Sequence, residues 1–355
     1  MFNKKSLLVI ALVLVLSLTL VACSSDKGSD NGDTPPAGND TPDNGGKTSD
    51  LRPEGVPEDF PNKEIEYLYG FSAGSVQDAY IRILFDKIQE MEGWKHGFVV
   101  TYREGASGKI QWNELANAEP DGYTIGFAPS AMLIPGIAES DEVDFGYDEY
   151  DYLFNMMSDP GAIGVAIDSE YESLEELVEA ARANPGKITV GVTSTIGQEG
   201  LTMKLLERAA DVEFNVVAFN GGADVLAGVV GGHVDAFCLN ITDTTTFLEN
   251  NQIKVLATGN TERSEFLPDV PTYQEAGYDV VQVNMRAVAA PKGLPEPIKE
   301  YLENCLLAAA QDPEVLEQIA DMQIPLDNMG GDDVKEAFGN IHSGLVELWE
   351  NDPWQ

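Results

Sequence analysis

From Ile65 onward, apolar and polar positions alternate between two periods. Residues 65–69, 98–102 and 123–127 are short β-branched or aromatic runs that predict strands, whereas residues 75–91 carry their apolar positions at helical spacing. The best-marked helix opens at Ser173 with Glu176 three residues on, a capping box, after which Leu174, Leu177, Val178 and Ala181 recur on one face. Asn184, Pro185 and Gly186 stop it. Strand signals follow at 188–192, 214–219, 234–239, 255–258 and 280–283. Near the end, Ile298, Leu302, Cys305, Leu306 and Ala309 form one helical stripe and Val334, Phe338, Ile341, Leu345 and Leu348 another, both expected to face the core. Strands alternating with helices imply α/β layers.

The first fifty residues break this pattern. Lys4 and Lys5 precede an apolar run at 7–16, and Leu20, Val21, Ala22 and Cys23 follow, which reads as an export signal at 1–22 too short for a permanent span. A small residue before a cysteine resembles the lipobox of bacterial lipoproteins. That resemblance implies cleavage before Cys23 and a diacylglycerol on its thiol; the alternative is an ordinary signal with an incidental cysteine. Residues 24–53 are nearly all Ser, Asp, Gly, Asn, Thr and Pro and should form a solvated acidic tether.

With 60 acidic against 21 basic residues and a formal net charge of −39, a generally basic surface for nucleic acid is excluded. The signal and tether hold few of these charges, so the acidity belongs to the folded surface. Cys238 ends an apolar strand and Cys305 sits on a helical stripe, and two buried free thiols are expected rather than a bridge.

Gly70-Phe71-Ser72-Ala73-Gly74 has the form of a nucleophile elbow between a strand and a helix. It follows the first strand of the folded region, leaving no room for the strands and oxyanion loop that a hydrolase needs before its nucleophile. The histidines, His96, His233 and His342, all read as surface residues. An exported esterase using Ser72 remains the alternative. Metal-ligand spacings are missing, and in Gly105-Ala106-Ser107-Gly108-Lys109 the neighbours Arg103 and Ile110 occupy positions that a phosphate loop reserves for Gly and Ser or Thr. No metal, cofactor or catalytic residue is expected.

Three small-residue loops remain, each after a strand and before a helix: residues 71–75, 193–198 and 220–224. Such loops lie at the carboxyl ends of strands and expose the unpaired N–H groups of the following helix, for which a carboxylate is a natural guest.

Over about residues 65–316 the chain resembles the substrate-binding receptors of the tripartite tricarboxylate transporters, the Bug-type extracytoplasmic solute receptors. The resemblance rests on an ordered set: Phe71-Ser72-Ala73-Gly74 with Asp78 and Arg82, Arg103-Glu104-Gly105-Ala106, Pro120-Asp121-Gly122-Tyr123-Thr124, Pro185-Gly186-Lys187, Gly231-Gly232-His233-Val234-Asp235, Leu267-Pro268-Asp269-Val270-Pro271-Thr272, Ala290-Pro291 and Asp312-Pro313. It implies a two-lobed α/β fold of the periplasmic-binding-protein type (type II-like) with a hinged cleft. One lobe would take residues 54–150 and 259–355, the other 151–258. It further implies a receptor, lipid-anchored on the extracytoplasmic face, that captures a di- or tricarboxylate or related acid and passes it, as a monomer, to the small and large membrane subunits of the transporter. A ligand sensor of the same fold is a second alternative.

Carried onto this chain, the family's carboxylate-binding loops assign Phe71, Ser72, Ala73, Gly74, Ser75 and Asp78 to one wall, with Ser194, Thr195, Gly197, Asn220 and Gly221 opposite. Ser75, Thr195, Gln198, Gly200 and Phe219-Asn220 depart from the family's usual residues, so the side chains of the site are altered. Four or five hydrogen bonds to a charged group gross about 6–15 kcal/mol, against about 8 for a micromolar complex. On that arithmetic no dedicated cation is required.

Overall fold

The computed structural model describes residues 51–351 and 353. The signal, Cys23 and most of the tether lie outside the described residues. The last three tether residues are not solvated coil: Leu51 packs on the core, and Arg52 donates to the carbonyls of Pro57 and Phe60 and lies 4.5 Å over the Tyr301 ring.

The chain runs β1 (Ile65–Tyr69), α1 (Val76–Glu92), β2 (Phe98–Tyr102), α2 (Lys109–Ala116), β3 (Thr124–Pro129), α3 (Leu133–Ala138) and β4 (Tyr150–Ala166). It continues through α4 (Leu174–Ala183), β5 (Thr189–Val192), α5 (Gln198–Ala210), β6 (Asn215–Ala218), α6 (Gly222–Val230), β7 (Ala236–Asn240), α7 (Ile241–Glu249) and β8 (Ile253–Thr258). It closes with β9 (Val283–Pro291), α8 (Glu296–Ala310), α9 (Pro313–Ile319), β10 (Leu326–Gly330) and α10 (Gly331–Asn351). The strands form one mixed sheet, ordered β2-β1-β3-β9-β4-β7-β5-β6, with β8 and β10 also paired to β4.

β4 is the hinge of this order. Its first part pairs antiparallel with β9 and β10, its last with β7 and β8. Each half of the sheet is covered on both faces. In β1, Tyr67 and Tyr69 join α1 and α8 in one cluster while Leu68 joins Trp112, Tyr152 and Phe338 in another. In β7, Ala236 and Cys238 face α4 and α5 residues, and Phe237 and Leu239 face those of α6 and α7. A strand buried on both faces needs apolar residues at every position, which is why these runs read as continuous.

Ser173 caps α4, accepting from the Glu176 N–H at 3.2 Å. Glu176 returns the bond to the Glu172 N–H, one residue before the cap. The stripe of α8 is buried as expected, and Val334 and Phe338 of α10 pack on the first half, while Leu345 and Leu348 further along join Leu201 and Leu205 of α5. Cys238 and Cys305 are free and buried. The strand expected at 280–283 is displaced, because Val280 packs in the core outside any strand and β9 begins only at Val283. The 17-residue β4 carried no strand signal at all.

Candidate functional site

The first loop is fixed by its own neighbourhood. Gly74 has φ +96, and its N–H donates to Asp78 Oδ2 at 2.9 Å. The conformation needs glycine, since a Cβ there would meet nothing yet the left-handed backbone would be strained. Ser75 caps α1 by accepting from the Asp78 N–H at 3.2 Å, and its hydroxyl also shares a 2.7 Å hydrogen bond with Tyr69. Asp78 is buried and further receives the Tyr102 hydroxyl at 3.0 Å and Arg82 Nε at 3.2 Å. Asp78 and Ser75 therefore brace the loop with their side chains, while Phe71, Ser72, Ala73 and Gly74 form its exposed crest. Ser72 makes no hydrogen bond to a histidine among the described residues; His96 and His233 are exposed and His342 stacks on Tyr147.

The second loop has glycine, Gly197, at the cap of α5. A Cβ on Gly200 would overlap the Thr195 carbonyl, so the departure at Gly200 lets the loop fold down onto its helix. Thr195 is exposed and Ser194 half-buried. The loop is braced at long range: Thr193 donates to Glu199 at 3.2 Å, Asn240 to Glu199 at 3.4 Å, and Gln198 to the Val283 carbonyl at 2.8 Å. In the third loop Asn220 is exposed and Gly221 caps α6 in extended backbone. The Phe219 ring occupies space that a Cβ on Gly228 would enter at 3.0 Å, and Gly222 lies against Asp243 in the first turn of α7.

A buried polar cluster joins these loops, and sequence reasoning missed it. Asp159 of β4 receives the Thr242 hydroxyl and N–H from the start of α7, and Arg286 of β9 at 3.3 Å. Beside them Ser130, just after β3, hydrogen-bonds Asn284 and the Met285 N–H. Burial pushes the Asp159 carboxyl up to about 6, with Arg286 pulling it down and Asp243 pushing it up. Burial likewise raises Glu199, against the pull of its own N–H, with Asp243 adding to the rise and Arg286 opposing it. Tyr69 is pushed up to about 12 by burial and drawn back by Ser75 and by Arg286. Arg286 thus lies near enough to draw down both Tyr69, on the stem of the first loop, and Glu199, in the first turn after the second. The signal available was a charge inside each of two apolar runs, Asp159 and Arg286. Among the described residues no group of three potential metal ligands converges, and no helix is long and apolar enough to cross a membrane.

Residues 83–338 match the family described as "Tripartite tricarboxylate transporter family receptor". A Cupriavidus necator protein, "UPF0065 protein in gbd 5'region", is 28% identical over 265 residues, 74% of this chain and 79% of that protein. Among solved structures, periplasmic binding protein BugD shares the fold at a TM-score of 0.71 and 23% identity, covering 82% of this chain and 98% of BugD. "MatC (Rpa3494) from Rhodopseudomonas palustris with bound malate" superposes at 0.69 and 20% identity, covering 83% of this chain and 100% of MatC. These neighbours show a two-lobed α/β receptor fold.

Proposed function

We propose that this chain, which belongs to the tripartite tricarboxylate transporter receptor family, captures a small carboxylate between the two halves of its sheet and delivers it to the transporter's small and large membrane subunits. The family is one of extracytoplasmic receptors and not of enzymes, so Ser72 belongs to a binding loop rather than to an esterase. The observation that carries the reading is the family match over residues 83–338, supported by three strand-to-helix loops that open α1, α5 and α6, two of them with glycine caps. Helix starts supply N–H donors and a positive dipole end, which favour an anion. The malate bound in the R. palustris neighbour supports the same ligand chemistry.

In this reading the crest of the first loop, Phe71 to Gly74, faces Ser194, Thr195, Gly197, Asn220 and Gly221, while Ser75 and Asp78 hold that crest in shape. We place the first lobe boundary within β4 rather than at residue 150, since Tyr150 to Met157 pack with the first half and Ala162 to Val165 with the second, and keep the other near residue 258. Cys23 carries the lipid, and the receptor works as a monomer. A thermal-shift screen of mono-, di- and tricarboxylates, aromatic acids and amino acids should raise the melting temperature with at least one acid. A blank across the whole panel would sink the carboxylate reading. Co-purification with the two membrane subunits tests delivery.

A further inference from the structure

Arg286 is the buried charge that the loops alone leave without a task. It lies within β9, opposite Pro129 of β3 and Met157 of β4, on the strand pair that ties the halves together. Its side chain keeps 10% of its surface open, enough for contact from the solvent side but too little for full hydration. A guanidinium carries five N–H donors in a planar fork and does not lose its proton. Here one terminal nitrogen reaches Asp159 at 3.3 Å, while Nε has no hydrogen-bond partner among the described residues. The pairing is single-point. Asp159 is held in that pose because Thr242 already donates to both of its oxygens.

A cation buried with part of its fork unfilled is destabilising until an acceptor completes it. A carboxylate matches the fork best, because its two oxygens take parallel N–H bonds. The site then holds two separate elements that favour negative charge, the incompletely paired guanidinium of Arg286, whose Nε is buried and whose side chain is 10% open, and the braced start of α1 beyond Tyr69. Two such elements fit an acid with two anionic ends better than one with a single end.

Resting on the receptor reading, we propose that Arg286 is a specificity-determining ligand contact: its fork takes one carboxylate of a dicarboxylic acid, and the first loop takes the other. Glu199 and Asp159 flank the fork and disfavour a ligand that cannot reach it.

The test is calorimetric titration of the full-length chain with succinate, malate and adipate. The wild type should bind at least one of them. Arg286→Gln combined with Asp159→Asn removes the charge pair together, so no unpaired buried charge is left, and affinity for that acid should fall about 10- to 100-fold. Arg286→Lys keeps the charge without the fork and should fall between. Asp159→Asn alone should tighten binding, because the guanidinium is no longer shared, and that gain should vanish when Arg286→Gln is added; a merely structural Arg286 would leave the gain in place. Equal affinity in the wild type and a cooperatively melting double variant overturns the assignment and leaves the receptor reading intact. Should the double variant fail to melt cooperatively, unchanged affinity in Arg286→Lys overturns it instead. A wild type that binds none of the three acids also overturns it, whereas the receptor reading falls only if the broader acid panel is blank as well.

Discussion

At the start of α1, Tyr69, Ser75, Asp78, Arg82 and Tyr102 are linked in one hydrogen-bonded network within a stretch of 34 residues. At the starts of α5 and α6 the cap is glycine and no side chain fills it; at α5 the bracing comes from Thr193 nearby and from Asn240 and Val283, residues far along the chain. The first wall is therefore fixed largely by its own stretch of chain, whereas the second depends also on residues distant in sequence, Asn240 of β7 and Val283 of β9. The buried acids Asp159 and Glu199 both lie within the influence of Arg286.

The largest expected effect breaks the comparison at Asp159. Burial holds its carboxyl up at about 6 against an ordinary 3.8, so the folded chain binds this proton more tightly than the unfolded chain. The resulting stabilisation is complete below the ordinary value and is lost as pH rises through about 6. The groups facing it are Arg286 of β9 and Thr242 and Asp243 of α7. Between pH 4 and pH 7 the stability of the wild type relative to Asp159→Asn should drop by on the order of 3 kcal/mol, the equivalent of about two pKa units. Denaturant melts at the two pH values measure it, and a constant difference would mean that Asp159 ionises as freely as in solution. Next comes Gly200→Ala, whose Cβ overlaps the Thr195 carbonyl. It should cost about 1–3 kcal/mol by forcing the second loop off its helix, and ligand affinity should fall with it.

The same contrast explains what the sequence disclosed. β1, α1, β2 and the cap at Ser173 were readable because each is specified by residues within one or two turns of itself. β4 was not readable, since Asn155, Asp159, Pro160 and Gly161 punctuate it like a turn. Apart from the Asn155–Ser158 bond, the hydrogen bonds of Asn155 and Asp159 go to residues distant in sequence, Thr242, Arg286 and Asp327. β9 was shifted for a related reason: Asn284 and Arg286 interrupt its apolar run, and the small residues Ala287, Ala289 and Ala290 fill a crowded interior rather than signal a strand. The loop crests could be named from their small residues and the family's motifs. The cation between them could not, because an isolated arginine in an apolar stretch gives no sign of which side chains will surround it.

A smaller effect sharpens the comparison at the caps. Ser75→Ala removes the cap of α1 and leaves the buried Tyr69 hydroxyl without its partner, for about 1–2 kcal/mol. Ser173→Ala removes only a cap, for about 1 kcal/mol. Affinity should fall in the first variant and hold in the second, because Ser173 belongs to none of the three loops. Equal affinities in both would mean that the first wall does not depend on its braces.

The smallest effect is kinetic and separates the surface from the site. A net charge of −39 repels an anionic ligand at long range, and added salt shortens that reach from about 30 Å at 0.01 M to about 3 Å at 1 M. The association rate of a dicarboxylate should therefore rise a few-fold across that range, opposite to steered encounters between unlike charges. On the proposed reading dissociation should change little, because bonds made inside the protein are screened far less than charges at its surface. Stopped-flow measurement of both rates decides the matter. An association rate that falls with salt would place a local positive field at the mouth of the cleft strong enough to outweigh the whole acidic surface, and the two walls would then have to be compared by their charge rather than by how they are held.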